Sequence, residues 1–495
     1  MTKDLEQLTA LLANCEVRGN KNAVIKNIEH DSRKVTDGTL FVCLTGVHAD
    51  GHDFIEMAAK KGASAVLVEK DVSVPDGVAR VLVPDVKAAM QKLVPFFYDY
   101  PSRSMRVIGI TGTNGKTTTS YLVRAILRKQ GYKVGVIGTI NILIEDKVLP
   151  IHNTTPDVVD LQRTLYEMKT AGMDYVVMEV SSHALAMNRV AGLEFDTAVF
   201  TNLTQDHLDY HKTMENYGAA KAKLFASLDE GGAKQPKTAV VNKDDAAGEK
   251  MAAATSAAVI GYAIKNPAEL KAENVLVLAS GARFTVKGAF GELPLNLKIT
   301  GDFNVYNVLA AVGAAMAEKI SPLVIKSALE EFTSVAGRFE LVDEGQDFSV
   351  IVDYAHTPDG LENILHTARQ IAEKRIITVF GCGGDRDRTK RPIMGKIAAK
   401  LSDVVIATSD NPRSENPEFI LSEVEVGVKE GLSEGKQHEK ITDRREAIHR
   451  AIALAEKGDI VIIAGKGHED YQILKDRTIH FDDKEEARAA IREVR

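Results

Sequence analysis

The sequence predicts an α/β protein in three domains, at residues 1–104, 105–335 and 336–495. Three observations predict it. Short β-branched apolar runs alternate with helix-compatible segments, as in parallel sheets covered by helices. The alternation is broken near residues 101–104 and restarts near 336. A length of 495 residues, at about 150 per domain, provides for three cores.

In the first domain, Leu5, Leu8, Leu11 and Leu12 predict a short amphipathic helix. Strands are expected over residues 38–44 and 63–68, with a helix near 54–60 between them, so this is a small α/β unit. His30-Asp31-Ser32-Arg33, ahead of the first of these strands, reads alone as a solvated turn. Pro101-Ser102-Arg103-Ser104 reads as a linker.

The central domain opens with Val107-Ile108-Gly109-Ile110, a buried-strand pattern. It runs directly into Thr111-Gly112-Thr113-Asn114-Gly115-Lys116-Thr117-Thr118 and a helix-compatible segment. Glycines let backbone N–H groups close around an oxyanion, and the helix N-terminus adds positive potential. A lysine supplies a point charge and a threonine hydroxyl can ligate Mg²⁺. The strict spacing wants glycine at position 110, where the chain has Ile110, with Gly109 one step earlier. The domain is therefore expected to be of the phosphate-loop ATPase type, on a mostly parallel sheet. Its further strands are predicted at residues 133–138, 175–180, 197–201 and 238–241, with a β-rich flap on the sheet over 272–300. Glu179 ends one strand, with Ser181-Ser182-His183 behind it, and Asp206-His207-Leu208-Asp209-Tyr210-His211 follows the next. Acidic and imidazole groups at strand ends beside a phosphate loop are where Mg²⁺ ligands belong.

The C-terminal domain reads as Rossmann-like. Strands at residues 348–352, 375–380, 403–407 and 459–464 each end in a polar cluster. These are Asp353-Tyr354-Ala355-His356, Gly383-Gly384-Asp385-Arg386, Asp410-Asn411-Pro412-Arg413 and Gly465-Lys466-Gly467-His468-Glu469. Open parallel sheets bind ligands outside the carboxyl ends of their strands, so four clusters on one edge predict one site.

A net charge of −7 implies no general nucleic-acid or anionic-membrane surface. Cys15, Cys43 and Cys382 are too few and too scattered for a disulfide framework or zinc site. No signal-peptide pattern and no bilayer-length apolar run occur. A cytoplasmic protein without membrane insertion is expected.

The phosphate-loop phrase, Glu179-Val180-Ser181-Ser182-His183 and Asp206-His207-Leu208-Asp209-Tyr210-His211 resemble the Mur ligases, ATP-dependent amide-forming enzymes of peptidoglycan precursor synthesis. His30-Asp31-Ser32-Arg33, Asn153-Thr154-Thr155-Pro156-Asp157, Asp410-Asn411-Pro412-Arg413 and Gly465-Lys466-Gly467-His468-Glu469 resemble the members that add the third stem-peptide residue. In this family isoleucine at 110 is ordinary. The resemblance implies an ADP-forming acid–amino-acid ligase. It would join meso-2,6-diaminopimelate to the D-glutamate of UDP-N-acetylmuramoyl-L-Ala-D-Glu through an acyl phosphate, acting as a monomer with ATP as co-substrate and Mg²⁺ as cofactor.

By the same resemblance, Thr111 through Thr118, with Asn304, Arg338 and Asp353, would bind ATP. Thr117, Glu179, His207 and a carbamylated Lys221 would hold Mg²⁺, and Lys116, Glu179, His207 and Lys221 form the catalytic set. Ser32, Asn153, Thr154, Thr155, Ser181 and Arg189 would hold the UDP-substrate, with residues 1–104 as the UDP-binding domain. Arg386, Asp410, Asn411, Pro412, Arg413, Gly465 and Glu469 would bind diaminopimelate. Read alone, Lys221 is a surface lysine on a helix. Lysine lacks the distal carboxylate of diaminopimelate, which a guanidinium fork would bind; Glu469 would take an ammonium. Alternatives are the lysine-adding form, a folate polyglutamate ligase, a phosphate-loop switch protein, and an Arg413 that merely pairs with Glu415.

Overall fold

The computed structural model describes residues 1–46, 49–151, 153–230, 232, 234–278 and 280–494. The chain forms two compact units. The first comprises residues 1–109, 133–196 and 230–236; the second comprises 110–132, 197–229 and 237–495.

The first unit holds a five-stranded sheet in the order Glu16–Arg18, Ala79–Leu82, Ala63–Val68, Thr39–Val42, Asn27–Glu29, parallel except for the first strand. Successive side chains alternate faces. Leu40 and Val42 thus join one core with Leu5 and Leu8, while Phe41 and Cys43 join another with Ile55 and Val66. The N-terminal helix is only Leu5–Thr9; Leu11 and Leu12 pack on the same core from beyond its end. The expected linker is instead the 3₁₀ turn Pro101–Ser104, with Pro101 and Ser102 buried. Tyr100 precedes it in the left-handed region, and the Ser102 hydroxyl accepts from Glu194 N. Ser102 thus bonds to a core wall and leaves the surface, while Arg103 and Ser104 stay exposed.

The same unit carries the strands Val134–Ile137 and Tyr175–Glu179, paired in parallel, so Glu179 stands at a strand's carboxyl end. Asp157 caps the helix Val158–Thr170, its carboxylate accepting from Val159 N and Asp160 N.

In the second unit, Thr197–Phe200, Thr238–Asn242 and Ala258–Ala263 pair in parallel. The expected flap is not laid on the sheet. Leu270–Leu278, Gly281–Gly288 and Gly291–Leu297 continue its edge as an antiparallel meander. Alternate residues Phe284, Val286, Leu293 and Leu295 are buried, so the meander covers one face and leaves the other wet.

A second sheet runs in the order Glu340–Val342, Ser349–Asp353, Ile460–Ala464, Ile376–Phe380, Val404–Ala407, Gln437–Lys440. Only the first strand is antiparallel. Ile460 and Ile462 face one core, Val461 and Ile463 the other. The strand Ile460–Ala464, last in sequence, lies between Ser349–Asp353 and Ile376–Phe380. That inversion of order opens a crevice at the carboxyl edge, where all four polar clusters emerge. No described helix is long and apolar enough to cross a membrane.

Candidate functional site

The phosphate loop joins the strand Arg106–Thr111 to the helix Lys116–Lys129. Thr111, Thr113, Thr117 and Thr118 are buried. Gly115 has φ +84°, and a Cβ there would overlap the Asn307 amide oxygen, so only glycine fits. Lys116 Nζ donates to the carbonyls of Gly112 (2.9 Å) and Thr113 (2.8 Å), so its side chain curls back over the loop. The Asn114 N–H donates to Asn202 Oδ1 (2.9 Å), and its carbonyl accepts from Thr201 Oγ1 (2.6 Å). Asn114 Nδ2 reaches Asp359 at 2.6 Å.

The predicted nucleotide residues gather here. Arg338 Nη2 donates to Thr117 Oγ1 at 3.0 Å, and its guanidinium lies 4.4 Å from the Tyr354 ring centroid. The Asp353 carboxylate accepts from Phe339 N (2.6 Å) and Ala355 N (2.7 Å). Burial pushes its pKa up, against Arg338 and those two N–H groups. Asn304 is buried and accepts from Asn307 Nδ2 at 3.0 Å. Asn307, one helical turn from Asn304 and against the loop, was not singled out from sequence, although an Asn-x-x-Asn spacing on one helix face was a readable signal.

Lys221 departs most from its expectation. It is 1% exposed, on the helix Met214–Ala226. Its Nζ donates to the Gly112 carbonyl at 2.7 Å, the oxygen that Lys116 also uses, and lies 4.4 Å from the Tyr217 ring centroid. Burial, and then the charge of Lys116, push its pKa well below the ordinary lysine value. The helical pattern does not reveal this, because the face is covered by the phosphate loop, distant in sequence.

His207 has φ +56°. Asp206 beside it is buried, its Oδ2 3.3 Å from His207 Nε2 and its Oδ1 3.8 Å from Lys390 Nζ. Burial opposes the Asp206 charge, but Lys390, His207 and His356 outweigh it and hold the carboxyl well below the usual range. Lys390 also donates to the His356 carbonyl at 2.9 Å. Burial, and then Lys390, lower His356 to about 4. Among the described residues no three His, Cys, Asp or Glu side chains are arranged to hold a metal ion.

In the first unit Thr155, Ser181 and Arg189 lie in hydrogen-bond contact, while Asn153 is exposed. Thr155 Oγ1 donates to the Glu179 carbonyl (2.9 Å) and accepts from Ser181 N (3.0 Å). Ser181 caps the helix Ser182–Ala186, and Arg189 Nη1 donates to the Thr155 carbonyl at 3.1 Å. Thr154 Oγ1 lies 3.1 Å from Thr139 Oγ1. Thr139, missed in the sequence, holds both oxygens of the 1%-exposed Glu179: its N–H donates to Oε1 (2.8 Å) and its hydroxyl to Oε2 (2.9 Å). Ser32 is buried, two residues after His30, whose Nε2 lies 3.7 Å from Asp157 Oδ2.

At the C-terminal crevice, Arg413 (φ +52°) sends Nη1 to the carbonyls of Gly384 (2.9 Å) and Asn411 (3.4 Å). Burial, and then the nearby charge of Arg386, lower its pKa. Arg386 is exposed and donates to the Asp385 carbonyl at 2.8 Å. Among the described residues neither guanidinium forms a salt bridge. The pairing of Arg413 with Glu415 does not occur: Glu415 is held by the buried Arg391 at 2.8 Å. Asp410, Asn411, Pro412 and Gly465 are buried. Gly465 has φ +123°, and a Cβ there would come 2.8 Å from Asp410 Oδ2. Glu469 accepts from Asn411 Nδ2 at 2.9 Å; burial raises its pKa, against Lys466.

Comparison with known proteins bears on the whole chain. Residues 24–98 match the family described as "Mur ligase family, catalytic domain", residues 110–315 "Mur ligase middle domain" and residues 337–467 "Mur ligase, glutamate ligase domain". A UDP-N-acetylmuramoyl-L-alanyl-D-glutamate--2,6-diaminopimelate ligase from Bacillus cereus is 48% identical over 98% of both chains. Its counterpart from Geobacillus thermodenitrificans is 48% identical over 99% of this chain and 100% of its own. A solved structure of a ligase of that name superposes with TM-score 0.69 at 34% identity, covering 100% of this chain and 99% of the other. A MurF structure from Acinetobacter baumannii, at 19% identity and TM-score 0.69, shares the fold, covering 94% of this chain and 95% of its own. With three matched segments in order and near-half identity along its length, this chain belongs to the Mur ligase family.

Proposed function

We propose that this chain is an ADP-forming ligase that joins meso-2,6-diaminopimelate to the D-glutamate carboxylate of UDP-N-acetylmuramoyl-L-Ala-D-Glu. The observation that carries the reading is the pair Arg386 and Arg413, two guanidiniums close enough to oppose each other's charge and neither of them in a salt bridge among the described residues. Such a pair calls for an anion. A distal carboxylate answers it, and Asp410 and Glu469 beside it are suited to an ammonium. The like-named relatives support the same choice over lysine.

In this reading residues 1–104 bind the UDP moiety, 105–335 the ATP, and 336–495 the amino acid. The Thr111–Thr118 loop, Asn304, Arg338 and Asp353 seat ATP. Ser32, Asn153, Thr154, Thr155, Ser181 and Arg189 seat the UDP-substrate. The acid takes the γ-phosphoryl group as an acyl phosphate, and the amine then attacks that carbon and displaces phosphate. Lys116 neutralises charge on the transferring phosphoryl group.

Thr117, Glu179 and His207 offer the hard oxygen and imidazole donors that fit Mg²⁺, which when bound would offset phosphate charge. An ammonium at Lys221 does not fit. Burial and the charge of Lys116 lower its pKa and so favour the free amine, the form that adds CO₂ and releases a proton. The resulting carbamate supplies an anionic oxygen and relieves the crowding of two lysines on one carbonyl. We place the enzyme in the cytoplasm, as a monomer. The deciding experiment is ADP release with UDP-muramoyl dipeptide, diaminopimelate against lysine. Strong preference for diaminopimelate is expected; equal turnover would overturn the reading.

A further inference from the structure

Lys466 lies between Gly465 and Glu469 and has no role in the reading above. Its side chain is fully buried. Its Nζ stands 3.1 Å from Asn411 Oδ1, 3.2 Å from Glu469 Oε2 and 3.8 Å from Asp410 Oδ1. Asn411 Nδ2 donates to the same Glu469 oxygen at 2.9 Å, closing a ring of three side chains. Ile473 N donates to Asn411 Oδ1 at 2.9 Å, which settles the orientation of that amide. The ring thus consumes Oε2 of Glu469. Oε1 has a long contact, 3.5 Å from the Tyr354 hydroxyl, and the Tyr471 hydroxyl also bonds to the Glu469 carboxylate.

The charge balance is informative. A buried ammonium is costly unless anions surround it. Here two carboxylates, Asp410 and Glu469, share one lysine; the next cation, Arg444, is matched to Asp483 at 2.7 Å. The charges of Asp410 and Glu469 also reach Arg413. Without Lys466 the two buried carboxylates would repel each other.

Resting on the function proposed above, we infer that Lys466 is a positioning residue for the distal ammonium of the amino-acid substrate. It clamps Glu469 and Asn411 in register, leaving Glu469 Oε1 to receive the ammonium.

The test uses the full-length enzyme and Lys466→Met. Wild-type turnover with diaminopimelate against lysine is measured first. Loss of that preference overturns the functional reading, whereas an intact preference isolates the present inference. The variant is expected to raise KM for diaminopimelate by about 30-fold, the effect of losing a charge-assisted buried hydrogen bond, with kcat and KM for ATP within about threefold. A KM for diaminopimelate within twofold of wild type overturns the inference, as does an equal rise in KM for ATP. If Lys466→Met does not fold, Lys466→Gln keeps a donor without the charge. Its thermal shift with ADP is expected to persist while that with diaminopimelate is lost; persistence of both overturns the inference.

Discussion

Lys221 Nζ donates to the Gly112 carbonyl at 2.7 Å, and Lys116 Nζ donates to that same oxygen at 2.9 Å. Two ammonium groups on one carbonyl, one of them 1% exposed, repel. Burial, and then the charge of Lys116, push the pKa of the buried one well below the ordinary lysine value. This relationship ties a helix of the second unit to the phosphate loop.

Lys221→Ala is therefore expected to lower kcat by about 10²-fold, the scale on which one electrostatic group at a reacting centre acts. Short carboxylates such as acetate should restore part of the loss in Lys221→Ala and none in Lys221→Arg. Labelled bicarbonate should give a carbamate carbon signal in wild type that both variants lack.

Arg413→Ala should reduce kcat/KM for diaminopimelate by about 10³-fold, because a site built around a polar group loses heavily when the pair is broken. KM for ATP should stay within twofold. The measurement is steady-state ADP release with each substrate varied in turn.

Thr139→Val keeps the backbone N–H but removes the hydroxyl that donates to Glu179 Oε2. With Glu179 in its proposed Mg²⁺ role, a group that orients it is worth about tenfold or more. The Mg²⁺ concentration for half-maximal activity should rise about tenfold while the melting temperature changes little; titration of activity with Mg²⁺ checks it.

His356 titrates near 4 in the fold, against an ordinary histidine value of 6.5, because burial and then Lys390 oppose its charge. Between these values the unfolded chain binds the proton more readily than the folded one, so stability falls as pH falls through that window. Above 6.5 the group is neutral in both states and its contribution is complete. His356→Asn should flatten the dependence of the urea midpoint on pH between 4 and 6.5.

Local pattern determined much of this protein. The strand Ala63–Val68 has the predicted bounds, and the phosphate-loop helix begins at Lys116. The four clusters at one sheet edge follow from alternating strands and helices, since parallel strands must all end on the same side. Glycines and a lysine at fixed offsets named the phosphate loop, because its chemistry is local, whereas Arg386 and Arg413 were singled out by the family resemblance. Tertiary structure alone decided which groups are buried and what they face. Lys221 reads as solvated until the loop at Gly112 is folded over it. Thr139 shows nothing until the chain brings it to Glu179, forty residues on. Lys466 is one lysine among many until Asn411 and Glu469 close around its ammonium. Burial, and with it the strength of every charge in these sites, depends on segments far apart in the chain, and no local window contains both partners.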